Sequence, residues 1–153
     1  MASRAKQLAR IKDDEEIGSL AEIVGFHIRL AHGAVYRHFT ETFADLDLTQ
    51  KQVSVLWLIA ENPGISQIEV GQRLSMDRAT TMTIVNRLQE RGMMRRERSE
   101  SDGRKQALHL MPGGQEALRA AKAAIGEHEA WLKGRFSAAE VEKLVEMLAR
   151  IHE

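Results

Sequence analysis

The sequence predicts a mainly α-helical chain with one small β-hairpin. Three observations carry that expectation. Apolar residues recur at three- and four-residue steps through most of the 153 residues, helix-capping signatures punctuate those runs, and the stretch 93–110 instead alternates around an Asp-Gly turn.

The start of the chain sets Arg4, Lys6, Arg10 and Lys12 before Asp13-Asp14-Glu15-Glu16, so 1–16 reads as a flexible, solvated segment. From Ile17 to about Phe43, the residues Leu20, Val24, Ile28, Ala31, Val35, Phe39 and Phe43 fall on one stripe and predict a single long amphipathic helix. Thr49-Gln50-Lys51-Gln52 is a capping box opening a helix through Val53, Leu56, Trp57 and Ile59 that stops at Asn62-Pro63-Gly64. A second capping box, Ser66-Gln67-Ile68-Glu69, opens a short helix with Ile68, Val70 and Leu74 as its apolar contacts. Asp77 is a good N-cap for the next helix, which runs to about Arg91 and stops at Gly92. Met93 to Arg98 and Ala107 to Leu110 then flank the Asp102-Gly103 turn as the hairpin. Beyond it, Pro112 opens a helix through Leu118, Ala121, Ile125 and Leu132, and Ser137-Ala138-Ala139-Glu140 caps a last one carrying Val141, Leu144, Val145, Leu148 and Ile151.

Two short helices joined by a tight turn and followed by a hairpin make a winged helix-turn-helix. The expected organisation is therefore a flexible 1–16, a helix over 17–48, a winged domain over 49–110 and two helices over 111–153. Terminal helices with broad apolar faces need cover from water, which makes them dimerisation helices and the chain a homodimer.

At 100° per residue, Thr81, Met82, Val85 and Leu88 share one side of the 77–91 helix, and Thr80, Thr83 and Arg87 lie opposite. Packed by its apolar side, such a helix presents those polar residues outward, with Arg78 at the N-terminal end where major-groove readers touch base edges. Arginine pairs bidentately with guanine, and threonine can hydrogen-bond a base or touch a thymine methyl. Residues 77–105 carry eight Arg or Lys against five acids, +3 in a chain whose total charge is zero. A local cationic surface of this kind suits the DNA backbone, whereas the neutral total argues against a histone-like coat. The expected contacts to a double-stranded operator are Ser66, Gln67, Arg78, Thr80, Thr83, Arg87, Arg98, Asp102, Arg104 and Lys105.

The chain has no Cys, no apolar run of eighteen residues and no signal-peptide pattern, so the expectation is a cytoplasmic protein without disulfides and without a membrane partner. It is not expected to be an enzyme, because no phosphate loop, His-Glu-x-x-His or nucleophile with an oriented base is present. No cofactor and no metal are expected. His27 and His38 share a helical face but stand about 16 Å apart at 1.5 Å per residue, and His32 is rotated about 140° from His27. The alternative to DNA binding is a winged domain that docks on another protein.

The residues Gly25-Phe26-His27-Ile28-Arg29, Asp47 to Gln52, Asp77-Arg78-Ala79-Thr80, Leu88 to Gly92, Asp102-Gly103-Arg104 and Leu108 to Gly114 resemble, in order and spacing, the MarR (multiple antibiotic resistance regulator) family of bacterial transcription factors. The resemblance covers nearly the whole chain. It implies a homodimer bound to a palindromic operator, with Arg104 of the wing in the minor groove and Asp102 holding the wing in shape. Many relatives carry Arg or another large residue where Thr83 stands, which shifts base reading towards Arg78, Thr80 and Arg87. Many also have Thr where Met111 precedes the proline, a lost cap worth roughly 1 kcal/mol. The family commonly represses until a small molecule binds between the dimerisation helices and the winged domain. Recognition helices must stand about 34 Å apart to meet successive major grooves, so a ligand preferring another spacing releases the DNA through a coupling of about 1 to 3 kcal/mol. The ligand-binding candidates are Arg29, His32, Tyr36 and Trp57, suited to an acid group beside a stacked ring. The tract from Gly25 to Phe39 looks most like the branch that regulates catabolism of aromatic acids, which points to an aromatic carboxylate or its coenzyme A thioester as effector.

Overall fold

A computed structural model describes residues 17–152 of the chain. The predicted flexible segment 1–16 lies outside them. The elements are α1 (Val24–Thr42), α2 (Gln50–Glu61), α3 (Gln67–Arg73), α4 (Arg78–Glu90), β1 (Met94–Arg98), β2 (Gln106–Leu110), α5 (Pro112–Lys133) and α6 (Ala138–His152). The chain divides into two compact units between His38 and Phe39, inside α1.

In the first unit the predicted single helix from Ile17 is interrupted. Gly18–Glu22 is a 3-10 turn that begins with Gly18 at φ +59° and ends at Ile23 in an extended conformation. The break places His27 Nε2 2.6 Å from the Ala21 carbonyl.

The second unit holds the core. Val55, Leu56 and Ile59 of α2, Val70 of α3, Val85 and Leu88 of α4, Met94 and Leu108 of the hairpin, and Leu118 and Ala121 of α5 form one buried cluster. Phe39 and Phe43 stack against each other with ring centres 3.9 Å apart. The local signals formed as the sequence predicts. Thr49 and Ser66 each make a complete capping box, Asp77 accepts from the Thr80 N–H, and Gly92 takes φ +69° where α4 stops. The strands pair antiparallel, Met94 with Leu110 through Arg98 with Gln106. A third segment joins this sheet: Gly64 N–H donates to the Leu108 carbonyl and Leu108 N–H to that of Ile65, which bridges Ser66 to Ala107. The start of α3 is thereby fixed to the hairpin.

Helix α5 begins at Pro112 without a side-chain cap, and Met111 N–H donates instead to the Met93 carbonyl at 2.9 Å. Its first turn lies directly on that backbone. A Cβ on Gly114 would stand 1.9 Å from the Met93 oxygen, so no side chain fits there.

Candidate nucleic-acid interface

Helices α3 and α4 cross closely because Gly71 leaves room for Thr81, whose Oγ1 would lie 2.9 Å from a Cβ there. The Thr81 hydroxyl is buried and donates to the Asp77 carbonyl. This contact fixes the register of α4. With Thr81, Val85 and Leu88 inward, the exposed residues of the helix are Arg78, Ala79, Met82, Thr83, Asn86, Arg87, Gln89 and Glu90.

Three placements differ from the sequence reading. Met82 was expected among the core residues, yet it is 48 % exposed and sits beside the polar face, because the covering elements lie towards Thr81 and Ile84. Ile68, expected as an apolar contact of α3, is likewise exposed at 61 %. Thr80 flanks the outer arc, half-buried, and its hydroxyl donates to the Asp77 carboxylate at 2.6 Å while its N–H binds the other oxygen. These bonds, the hydroxyl first, hold the Asp77 carboxyl below its usual value.

Ser66 is also committed locally. It is buried, its hydroxyl donates to the Glu69 carboxylate at 2.7 Å and accepts from the Glu69 N–H, and the same pairing lowers the Glu69 carboxyl. Its oxygen serves the cap, and the expected contact to DNA has no exposed group to make it. Gln67, next in the chain, is half-buried at the start of α3.

The basic residues of 77–105 fall into two sets. Arg91 reaches the Asp47 carbonyl at 2.7 Å, Arg95 pairs with Glu97, and Arg96 donates to three side-chain amides. Arg78 and Arg87 on α4 and Arg98 and Arg104 on the hairpin are exposed and have no hydrogen bond or ion pair from their guanidinium groups among the described residues. At the tip, Asp102 Oδ1 accepts from the Arg104 N–H, its carbonyl accepts from the Lys105 N–H, and Ser99 N–H closes on the Lys105 carbonyl. The turn is held by Asp102 while Arg104 and Lys105 project from it exposed. A helix face and a hairpin, each carrying guanidinium groups with no internal partner, form an arrangement suited to phosphates and base edges.

Residues 46–105 match the model of the MarR family. A protein of Thauera aromatica named as a transcriptional regulator of the hcr operon is 33% identical over 136 residues, 88% of this chain and 82% of that protein. The chain belongs to the MarR family. Among solved structures, the transcriptional repressor CouR bound to a 23-mer DNA duplex is 33% identical, with a TM-score of 0.83, over 90% of this chain and 97% of that one. CouR bound to p-coumaroyl-CoA gives 31% and 0.79 over 89% and 96%. The PcaV regulator of Streptomyces coelicolor with its natural ligand gives 26% and 0.78 over 87% and 94%. This MarR-family chain is thus a transcriptional regulator, in a family whose members are regulators and not enzymes.

The remaining expected residues of this chain sit in separate units. In the first, His32 and Tyr36 stack at 6.3 Å and Arg29 lies 5.3 Å over the Phe26 ring. In the second, Trp57 packs at the edge of the core, donates to Glu61 at 2.6 Å and has the Lys122 ammonium 4.5 Å from its ring centre. Among the described residues, no group of three His, Cys, Asp or Glu could hold a metal ion, and no helix is long and apolar enough to cross a membrane. The sequence reading missed Asn86 and the true setting of Arg96. Their partners are seven to twenty-nine residues apart in sequence, and no local pattern marks them.

Proposed function

We propose that this chain is a homodimeric, ligand-responsive repressor that binds a palindromic operator through α4 and its hairpin and is released by an aromatic acid or its coenzyme A thioester. The observation that carries the DNA reading is the set of exposed guanidinium groups at Arg78, Arg87, Arg98 and Arg104, which have no partner within the described residues. Like charges concentrated without internal compensation repel one another and are stabilised by phosphates. Arg78, Thr83 and Arg87 are the base-reading candidates, Gln67, Arg98 and Lys105 the backbone contacts, and Arg104 the wing residue for the minor groove, whose negative potential favours a guanidinium. Thr80 and Asp102 support them from behind.

Dimerisation is supported by the apolar surface of α6 and of the segment 20–36, and effector class by the likeness to CouR with p-coumaroyl-CoA and to PcaV with its ligand. Arg29, His32, Tyr36 and Trp57 remain the candidates for holding the effector. The test is a fluorescence titration of the full chain against duplexes from the region upstream of its own gene. Tight binding to an inverted repeat, weakening roughly a hundredfold or more from 50 to 200 mM salt and reversed by p-coumaroyl-CoA or a free aromatic acid, is the expected result. Binding that ignores salt, or no binding, would favour a protein-docking winged domain. Binding that no aromatic acid or thioester reverses would overturn the effector class alone.

A further inference from the structure

Arg96 lies at the middle of β1, opposite Leu108, and its guanidinium reaches three amide oxygens at once. Nη2 donates to Asn86 Oδ1 at 2.6 Å and to Gln67 Oε1 at 3.1 Å, and Nη1 donates to Gln89 Oε1 at 2.9 Å. One side chain of the hairpin therefore ties together the first residue of α3 and two residues of α4 that are one turn apart. The orientation of each amide follows from chemistry. A guanidinium has five donors and no acceptor, so the amide atom facing it must be oxygen, and the NH2 of each is left for another partner.

For Asn86 this matters, because it stands on the exposed side of α4 with Ala79 and Thr83. An asparagine that is free to turn reads adenine, accepting from N6 and donating to N7. An asparagine whose oxygen is held by Arg96 has one lone pair of that oxygen already used and presents its NH2 to what lies beyond. Guanine offers N7 and O6 side by side to such a donor, whereas adenine offers it N7 alone and sets its own N6 donor beside it.

We propose that Arg96 is a positioning residue for base recognition: by holding the Asn86 oxygen it turns the NH2 of that side chain outward as a donor that favours guanine over adenine in the major groove. This rests on the reading of α4 as the element that enters the groove. Gln67 and Gln89, oriented by the same guanidinium, become donors suited to phosphate oxygens.

The test is selection of duplexes from a random-sequence pool by the full-length chain, repeated with Asn86→Ala and Arg96→Met. A base pair whose preference disappears in Asn86→Ala should be G·C, and replacing its guanine with 7-deazaguanine should weaken the wild-type chain roughly fivefold or more while leaving Asn86→Ala unaffected. In Arg96→Met the same position should move towards A·T, because the amide oxygen is released, and the salt dependence should not change. An A·T pair at the Asn86-dependent position, no such position, or indifference to 7-deazaguanine overturns the proposal. So does an Arg96→Met profile identical to wild type, or a uniform loss with a salt slope shallower by about one, which would make Arg96 a phosphate contact. Should Arg96→Met fail to fold, Arg96→Lys takes its place, since a single ammonium cannot hold all three amides in the same fork and the same shift towards A·T is expected. If the wild-type chain enriches no duplex at all, the DNA-binding reading fails and takes the proposal with it.

Discussion

Helices α4 and α6 carry the same kind of amphipathic pattern and begin with the same kind of cap, Asp77 in one and Ser137 in the other. Helix α4 buries Thr81, Val85 and Leu88 completely, whereas α6 buries no residue, and its Val145, Leu148 and Ile151 stand 61 %, 44 % and 65 % exposed in the single chain. Leu20, Ile23, Val24, Ile28 and Leu30 of the first unit are similarly bare. The difference shows what periodicity reports. It marks a face that water disfavours, and leaves open whether the same chain or another one covers it.

The sharpest way to break this contrast is within α5, whose start is packed on the hairpin while Gly126 farther along is exposed. Gly114 lies against the Met93 backbone, and a Cβ there has nowhere to go without prising the helix from the hairpin. Gly114→Ala should cost about 3 kcal/mol, at the upper end of overpacking, read by chemical unfolding. Gly126, farther along the same helix, faces open space, and a Cβ added to it would meet no atom within 4 Å. Gly126→Ala should stabilise by up to about 1 kcal/mol through helix propensity alone. Equal effects at the two sites would contradict the packing described for the α5 start.

Next in size is the cover of α6. Val145→Glu combined with Leu148→Glu places two charges on its apolar side, and self-association should weaken by a hundredfold or more, given about 1.5 to 3 kcal/mol for each buried aliphatic side chain. Light scattering should show the mass fall to that of one chain while the winged unit keeps its cooperative unfolding. A wild-type chain that is monomeric at micromolar concentration would instead end the dimer reading.

A smaller and more local effect is expected at the wing. Arg104→Ala removes one unpaired guanidinium from a turn whose hydrogen bonds come from backbone groups and from Asp102. Operator affinity should fall by roughly 1 to 3 kcal/mol, the range for a specific contact, with dimer mass and thermal stability unchanged. Asp102→Ala should give a comparable loss by loosening the turn, although it touches no DNA in this reading.

Legibility in the sequence followed the range of the interaction. Thr49, Ser66, Asp77 and Ser137 find their partners three residues on, so the caps and the starts of four helices could be read directly. The hairpin was equally local, with its turn set by Asp102 and Gly103. The break at Ile23 was hidden because the apolar stripe runs through it in phase. Met82 and Thr80 lie at the margins of the α4 face, where a projection at 100° per residue cannot say which flank the neighbours cover. Arg96 read as one of several solvated charges, since what distinguishes it from Arg98 is the arrival of Gln67, Asn86 and Gln89 from other parts of the chain. For the effector residues the sequence offered chemistry without proximity, which side-chain type alone cannot supply.

The smallest expected effect bears on the caps of α3 and α4, the helix-turn-helix pair. Hydrogen bonds from Ser66 and Thr80 hold the Glu69 and Asp77 carboxyls below their ordinary values in the folded chain. A carboxyl depressed on folding contributes stability above its unfolded value and loses it as pH falls through the folded one. The contribution should therefore be constant at neutral pH, begin to fall near about pH 4, where the free carboxyls take up protons, and be gone only below the lower folded values. Ser66→Ala removes the hydroxyl that does most for Glu69, and should cost about 1 kcal/mol at pH 7. Its deficit should shrink on acidification, because the wild-type cap is then weakened as well. A deficit that stays the same from pH 7 to pH 3 would mean that Ser66 matters through its burial against Ala107, and that the charged cap contributes little to seating α3 on the hairpin.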